Sequence, residues 1–167
     1  VKASFEHHTF EVKAKLPKKG GAAVTAMHVQ GVGDEAATLL FTGAKNGTIV
    51  VWDASEMAEK DKPTKRYTLD VSSLGVDGLN ALQIQAISMF SSPSYVSQNP
   101  DSPVVLVGTR GCDILEVKCD IENNRSALVV GKDQDKSAGV LMQAHCNDEL
   151  WGVAAHPLKP EYCTVGD

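Results

Sequence analysis

One hairpin pattern recurs three times along this chain and limits it to a fold built from small antiparallel sheets. The copies cover residues 41–53, 106–117 and 163–167. Each copy has an apolar run followed by a glycine-containing bend, and in the first two copies a second apolar run follows, which is typical of a β-hairpin. Amphipathic helical patterns of ten or more residues are absent from the sequence. The predicted fold class is therefore all-β.

A second landmark supports the repeat, because an apolar segment precedes each hairpin. The first residues of these segments are Val24, Ile84 and Leu150, spaced by 60 and 66 residues. The glycines assigned to the three hairpins are Gly43, Gly108 and Gly166, spaced by 65 and 58 residues. Both landmarks indicate a period near 60 residues, which exceeds the roughly 40 to 45 residues of a four-stranded propeller repeat. The additional residues of each repeat are expected in loops.

This period predicts part of a β-propeller, with about two complete four-stranded blades and an incomplete blade at each end. Residues 1–20 are expected to hold the outer strand of a preceding blade, and residues 21–75 the first blade. Residues 76–145 are expected to form a second blade with an insertion at 120–138, and residues 146–167 the start of a third. Closed propellers typically have four to eight blades, so we expect the chain to be a segment of a larger protein.

Composition is that of a globular domain. Hydrophobic residues make up 43% of the chain and charged residues 22%, and every apolar run is too short to span a bilayer. The four cysteines show no CxxC spacing, which favours a reducing compartment. We therefore expect a location in the cytoplasm or cytoskeleton, with neither a membrane nor a nucleic acid as partner.

Charge is distributed unevenly. Up to Arg66 there are ten Lys or Arg and eight Asp or Glu, whereas the remainder has six and thirteen. The densest basic cluster consists of Lys13, Lys15, Lys18 and Lys19. These lysines are candidate contacts for an acidic partner, since opposite charge speeds association at low salt. Alternatively, they protect a solvated edge strand from aggregation.

Two motifs carry a resemblance to known families. The sequence GTIVVWD at residues 47–53 resembles the end of a WD40 repeat. Residues 108–117 and 140–167 are similar to the echinoderm microtubule-associated protein-like family, whose repeats carry GT-x-x-x-x-I-L-E-V and GH-x-x-E-L-W-G-L-A-x-H-P. The matching positions are Gly108, Thr109, Ile114, Leu115, Glu116, Val117, His145, Glu149, Leu150, Trp151, Gly152, Ala154, His156 and Pro157.

The resemblance implies a WD40-type propeller segment that associates with tubulin or microtubules, in the cytoplasm or in a cilium. The hairpin pattern and the resemblance together give these structural repeat positions: Gly43, Asn46, Gly47, Trp52, Asp53, Gly108, Glu116, His145, Trp151 and Gly152. The chain departs from the family pattern at Ala144, where a glycine is usual, and at Glu116–Val117, where a standard repeat has Trp-Asp. The hydrogen-bond network of His, Asp and Trp found in the usual repeat therefore cannot form in the second hairpin.

The sequence offers little support for catalysis. Cys146 and His145 are adjacent, and adjacent residues of a strand point to opposite faces, so the histidine is not placed to activate the thiol. His7 and His8 lack further ligands at a spacing that suits a metal. A glycine-rich phosphate loop is also absent from the sequence. We predict that the chain is not an enzyme and has no cofactor.

The leading hypothesis is a non-catalytic scaffold segment that binds tubulin, microtubules or other cytoskeletal proteins, together with the remaining blades of the same protein. Loops at 30–37, 91–103 and 120–138 are its expected contacts, because propeller loops recruit partners while the stacked sheets hold them rigid. The alternative is a WD40 adaptor in signalling or ubiquitin-type complexes that has no microtubule contact.

Overall fold

The computed structural model describes residues 21–30, 38–55, 63–79, 81–90, 101–129, 139–143 and 150–166, and β-strands dominate this part of the chain. Its strands are β1 (Val24–Gln30), β2 (Leu39–Ala44), β3 (Thr48–Asp53), β4 (Thr64–Asp70), β5 (Ile84–Phe90), β6 (Val104–Thr109), β7 (Ile114–Asp120), β8 (Arg125–Leu128), β9 (Val140–Met142), β10 (Gly152–Ala155) and β11 (Tyr162–Val165). A 3₁₀ turn at Val71–Leu74 follows β4. The described residues include no α-helix, and the predicted all-β class is confirmed.

The strands form three antiparallel sheets. The first sheet has the order β1-β2-β3-β4, and the third consists of β10 and β11. In the second sheet, β5, β6 and β7 are followed by two short strands that share the outer edge of β7. β8 pairs with residues 117–120 and β9 with residues 114–115. The outer position of this sheet is therefore divided between a strand inside the predicted insertion and one that follows it.

The first two sheets pair their strands in the same register. In the first sheet β1 has a bulge between Val24 and Ala26, and Ala26 lies opposite Gly43. The bulge of β5 lies at the equivalent place in the second sheet, where Ala86 is opposite Gly108. An extra residue in a strand reverses which later residues face a given side. Apolar residues on one face of β1 and β5 are therefore spaced as n, n+3 and n+5.

The two hairpin turns also match. The Gly47 N–H donates to the Ala44 carbonyl at 3.1 Å, and the Cys112 N–H donates to the Thr109 carbonyl at 3.0 Å. Gly47 has φ +84° and Cys112 has φ +63°, so both occupy the left-handed region. Asn46 does not adopt positive φ, so only the glycine of the Asn-Gly pair uses its conformational freedom. Cys112 adopts a conformation that glycine would adopt more readily.

The third hairpin differs from its assignment by one residue. Gly152 lies opposite Val165, so Val165 occupies the place that Gly43 and Gly108 hold in the other sheets. Gly166, which the sequence pattern assigned to this place, comes one residue later. Glycine spacing alone located the hairpin but not its register.

Two apolar clusters separate the three sheets. The larger cluster lies between the first and second sheets and includes Phe41, Val51 and Leu115, which are fully buried. The smaller lies between the second and third sheets and includes Leu106 and Leu150. Tyr67 and Leu69 of β4 point into the larger cluster, and buried and exposed residues alternate at this end of the strand. Each sheet therefore contributes to a core that it shares with its neighbour.

Candidate interaction surfaces

The sheets stack through three apolar positions in the first strand of the following sheet. In β5 these are Ile84, Ile87 and Met89, which are buried against the first sheet. In the third sheet the equivalent residues pack against the second sheet, with Leu150 and Val153 buried. Leu150, just before β10, and Val153 of β10 have the same spacing of three residues as Ile84 and Ile87. The same first-strand surface therefore forms both interfaces between sheets.

The same three positions are exposed in β1. Val24 is 54% exposed, Met27 64% and Val29 57%. They correspond to Ile84, Ile87 and Met89, which are at most 6% exposed in β5. We call the surface formed by Val24, Met27 and Val29 the β1 face. It is an apolar face of the kind that elsewhere in the chain is covered by a preceding sheet, and it is a candidate interaction surface.

Gly43 and Gly108 allow the sheets to approach each other. A Cβ at position 43 would lie 2.3 Å from Ile84 Cγ2, and one at position 108 would lie 2.8 Å from Leu150 Cδ2. Carbon atoms in contact are normally about 3.5–4.0 Å apart. The assignment of these glycines to repeat positions therefore has a structural reason: each makes room for the first strand of the next sheet.

A second group of exposed apolar residues lies in and around the third sheet. Trp151 is 59% exposed, Leu158 67% and Val165 62%. A Cβ added to Gly152 would have no heavy atom within 4 Å, so this glycine makes no close approach. Leu150 is buried, whereas the neighbouring Trp151 projects into solvent. Trp151 therefore belongs to neither of the two described cores.

Trp52 forms a buried hydrogen bond that the sequence did not predict. Its Nε1–H donates to the Thr42 hydroxyl at 2.9 Å, and that hydroxyl lies 3.4 Å from the Val50 carbonyl, to which it donates. Thr42 is opposite Val50 in the β2–β3 ladder, which places it diagonally from Trp52. The pairing register of β2 and β3 is the feature that could have indicated Thr42 as the partner of Trp52. The tryptophan links two strands of the first sheet, with a threonine accepting its indole N–H.

We expect Trp52→Phe to destabilise the fold by about 1 kcal/mol, because it removes a buried hydrogen bond and leaves the Thr42 hydroxyl less well paired. Urea unfolding at neutral pH measures this. The matched control is Trp151→Phe at an exposed site, which we expect to change stability by less than about 0.5 kcal/mol. Equal effects of the two changes would contradict a stabilising role for the Trp52–Thr42 bond.

Asn46 and Asp53 fix the two ends of β3. Asn46 Oδ1 accepts hydrogen bonds from the Thr48 N–H at 3.3 Å and from its hydroxyl at 2.8 Å. Asp53 Oδ1 accepts from the Ser55 N–H at 3.0 Å and from its hydroxyl at 2.7 Å. Asp53 Oδ2 also lies 3.5 Å from Arg66 Nη1. Both predicted repeat positions therefore hold the local backbone through side-chain oxygens.

Glu116 takes the place of a core valine. It lies opposite Leu106 in the second sheet, as Val51 lies opposite Phe41 in the first. Val51 is fully buried, whereas Glu116 is half-buried on the same face as Leu106, toward the third sheet. Burial raises the pKa of the Glu116 carboxyl. The register therefore aligns Val117 and Lys118, rather than Glu116 and Val117, with Trp52 and Asp53, so the equivalence predicted from the sequence is one residue off. Glu116 introduces an ionisable group near the smaller core.

A polar contact joins the outer strands of the first two sheets. The Tyr67 and Ser126 hydroxyls form a hydrogen bond, and Cys119 lies opposite Ser126 in the neighbouring strand. Burial raises the pKa of Tyr67, partly offset by the bond to Ser126. Burial also raises the pKa of the Cys119 thiol to about 12, which makes this thiol a poor nucleophile at neutral pH. The sequence alone does not indicate this group, because Tyr67 is distant in the chain from Cys119 and Ser126.

Some predicted site residues lie outside the described ranges: Lys13, Lys15, Lys18, Lys19 and His145. Most of the three predicted contact loops also lies outside them. In the described part of the chain, no helix is long and apolar enough to cross a membrane. Among the described residues, no group of three or more His, Cys, Asp or Glu side chains could hold a metal ion.

No protein-family model matches the chain. The described geometry offers two exposed apolar surfaces, on β1 and around the third sheet, and a groove at the outer edge of the second sheet.

Proposed function

We propose that the chain is a segment of a WD40-type β-propeller that serves as a non-catalytic interaction scaffold in a microtubule-associated protein. The observation that carries the proposal is the β1 face. Its three apolar residues occupy the positions that β5 buries against a preceding sheet. A further sheet of the same kind, supplied by the remaining blades, would cover them.

The order of contacts between sheets also supports a propeller. β1 packs against β5, and β5 packs against β10, so the first strands of successive sheets are neighbours. Each interface uses the same glycine position of the earlier sheet, Gly43 or Gly108. Repetition of one interface with one chain direction is how stacked blades follow each other around a propeller.

The assignment to microtubules depends on the resemblance of residues 108–117 and 140–167 to the echinoderm microtubule-associated protein-like family. In this proposal the lysines at 13, 15, 18 and 19 contact the acidic surface of tubulin, and loops at 30–37, 91–103 and 120–138 supply further contacts. Charge attraction of this kind weakens as salt rises. The proposed location is the cytoplasmic or ciliary cytoskeleton.

Microtubule co-sedimentation across a salt series tests this function. We expect binding at low salt that falls as salt rises, and an affinity about tenfold weaker when Lys13, Lys15, Lys18 and Lys19 are all changed to glutamine. A matched variant replaces Lys45, Lys65, Lys118 and Lys159, which are exposed and carry the same total charge. We expect it to bind nearly as well as the original chain.

Two outcomes would contradict the proposal at different levels. Equal losses in both lysine variants would remove the amino-terminal lysines as a specific contact. An absence of co-sedimentation even at low salt would favour the alternative, a WD40 adaptor without microtubule contact.

A further inference from the structure

A groove of about 780 Å³ lies at the outer edge of the second sheet. One wall is the segment 73–77 that follows β4, and the other is formed by β8 and β9 with residues 126–128 and 140–143. The Gln143 side-chain amide donates to the Asp77 carbonyl at 3.0 Å and joins the two walls at one end. The volume lies within the range of typical ligand sites, roughly 300–1,000 Å³.

The backbone of β8 is suited to pairing with another strand. The Val129 N–H donates to the Glu116 carbonyl of β7 at 2.9 Å. Because hydrogen bonds alternate along an antiparallel strand, the main-chain groups of Ser126 and Leu128 point to the opposite edge. In the described part of the chain, no strand pairs with that edge. An extended peptide laid along β8 would meet N–H and carbonyl groups in strand register.

The groove walls are largely apolar. Leu74, Val76, Leu128, Val140 and Met142 line it and are half-buried, so each keeps part of its side chain accessible. The first four pack at the margin of the larger core, which holds them in place. Alternate side chains of an added strand point to the same side. Apolar residues at every second position of a peptide would therefore enter this groove together.

The charge of the groove is negative. Asp77 is the only charged residue among its described lining residues, and it is exposed. The sequence between residues 67 and 109, which includes one whole wall, contains no lysine or arginine. An occupant with basic residues is therefore favoured over an acidic one, since no described lining side chain offers a positive charge.

We propose that this groove binds an extended peptide of alternating apolar and basic residues, which pairs as an added strand with the outer edge of β8. Its apolar side chains contact Leu128 and Val140, and the long side chain of an adjacent lysine reaches round to the exposed carboxylate of Asp77 at the edge of the groove. Strand addition of this kind combines main-chain hydrogen bonds with pockets for alternate side chains. The site is separate from the β1 face and from the lysines of the scaffold proposal, and it goes beyond that function.

Fluorescence anisotropy with the full chain tests the proposal. The probe is a fluorescein-labelled seven-residue peptide that alternates valine and lysine, and the comparison peptide replaces lysine with glutamate. We expect the lysine peptide to bind at least about tenfold more tightly, with the difference decreasing as salt rises. Equal binding of both peptides, or no binding of the lysine peptide, would overturn the proposal.

Two N-methylated forms of the lysine peptide test the strand pairing directly. One carries methyl groups on one alternate set of amide nitrogens, and the other carries them on the complementary set. We expect one form to lose at least about tenfold in affinity and the other to change by less than about twofold, because only one set can donate to β8. Equal affinities for the two forms would exclude strand addition.

The variant Asp77→Lys tests whether the peptide binds in this groove. The side chain of Asp77 is exposed, and the hydrogen bond that joins the groove walls uses only its main-chain carbonyl, so the substitution leaves that bond in place. We expect about a tenfold loss of affinity for the lysine peptide. The matched control is Glu161→Lys at an exposed position before β11, with an expected change below about twofold. Equal losses in both variants would place the peptide elsewhere, and far-UV circular dichroism verifies that both remain folded.

Discussion

Replacing Gly43 with alanine is expected to destabilise the fold by about 3 kcal/mol. The added Cβ would lie 2.3 Å from Ile84 Cγ2 and 2.7 Å from Ile84 Cβ. Rotation of the isoleucine side chain cannot move its Cβ away, so the backbones of the first and second sheets would have to separate. Separation would loosen the larger core, which explains why one methyl group has so large an effect.

The equivalent change in the second sheet is expected to be milder. A Cβ at Gly108 would meet Leu150 Cδ2 at 2.8 Å, and its next neighbours are at ordinary contact distances of 3.5 and 3.6 Å. Because Cδ2 is the far end of a flexible side chain, Gly108→Ala is expected to cost about 1 kcal/mol. Adding Leu150→Ala removes the clashing atom, and we expect the two changes to cost less together than the sum of their separate effects.

Urea unfolding of the single and double variants measures these differences, and Gly152→Ala is the control. A Cβ at Gly152 has no heavy atom within 4 Å, so this substitution is expected to be neutral or to stabilise the strand by less than about 1 kcal/mol. If Gly43→Ala were as mild as Gly152→Ala, the close contact between the first and second sheets would be contradicted.

High pH is expected to destabilise the chain through Cys119. Burial raises the pKa of this thiol from 9.0 to about 12, so the folded state retains the proton over a range in which the unfolded state loses it. Below pH 9 the thiol is neutral in both states and its contribution is fully present. Between pH 9 and 12 the unfolded state binds fewer protons, so the free energy of unfolding falls as pH rises. Three pH units correspond to about 4 kcal/mol.

The comparison of Cys119→Ala with the original chain measures this effect. The raised pKa of Tyr67 acts in the same direction, and charge on Cys119 is one of its smaller causes, so the variant also removes that part of the tyrosine's contribution. Urea unfolding at pH 7, 9, 10 and 11 under a reducing agent is expected to show that Cys119→Ala loses less stability at high pH. Cys163→Ala, at an exposed thiol, is expected to keep the original pH dependence. Parallel curves for Cys119→Ala and the original chain would rule out titration of Cys119 as the cause.

The sequence predicted the elements of the fold more accurately than their pairing. The apolar runs beginning at Val24 and Ile84 are equivalent strands, and the alignment by 60 residues agrees with the observed registers. The third hairpin was placed one residue off, since Val165 rather than Gly166 occupies the glycine position. Glycine marks a bend in sequence, but which residue lies opposite it depends on the pairing of two strands.

The candidate surfaces were harder to predict. The β1 face consists of apolar residues, which are normally expected in a core. They are exposed because no described sheet packs against that side of β1. The groove combines residues 73–77 with residues 126–128 and 140–143, three segments that meet only after the first two sheets stack. The lysines that the sequence favoured as partner contacts lie outside the described residues, and their role stays a prediction.

The three hairpin copies by themselves determined that this chain forms antiparallel sheets in a repeating order, because apolar alternation and glycine bends report local conformation. Only the tertiary structure decided that Gly43 meets Ile84, that Tyr67 meets Ser126, and that Val24 remains exposed. The reason is physical: a bulge in the first strand of a sheet reverses the residues that face each side. Contacts between sheets therefore depend on register and stacking, which local periodicity does not encode.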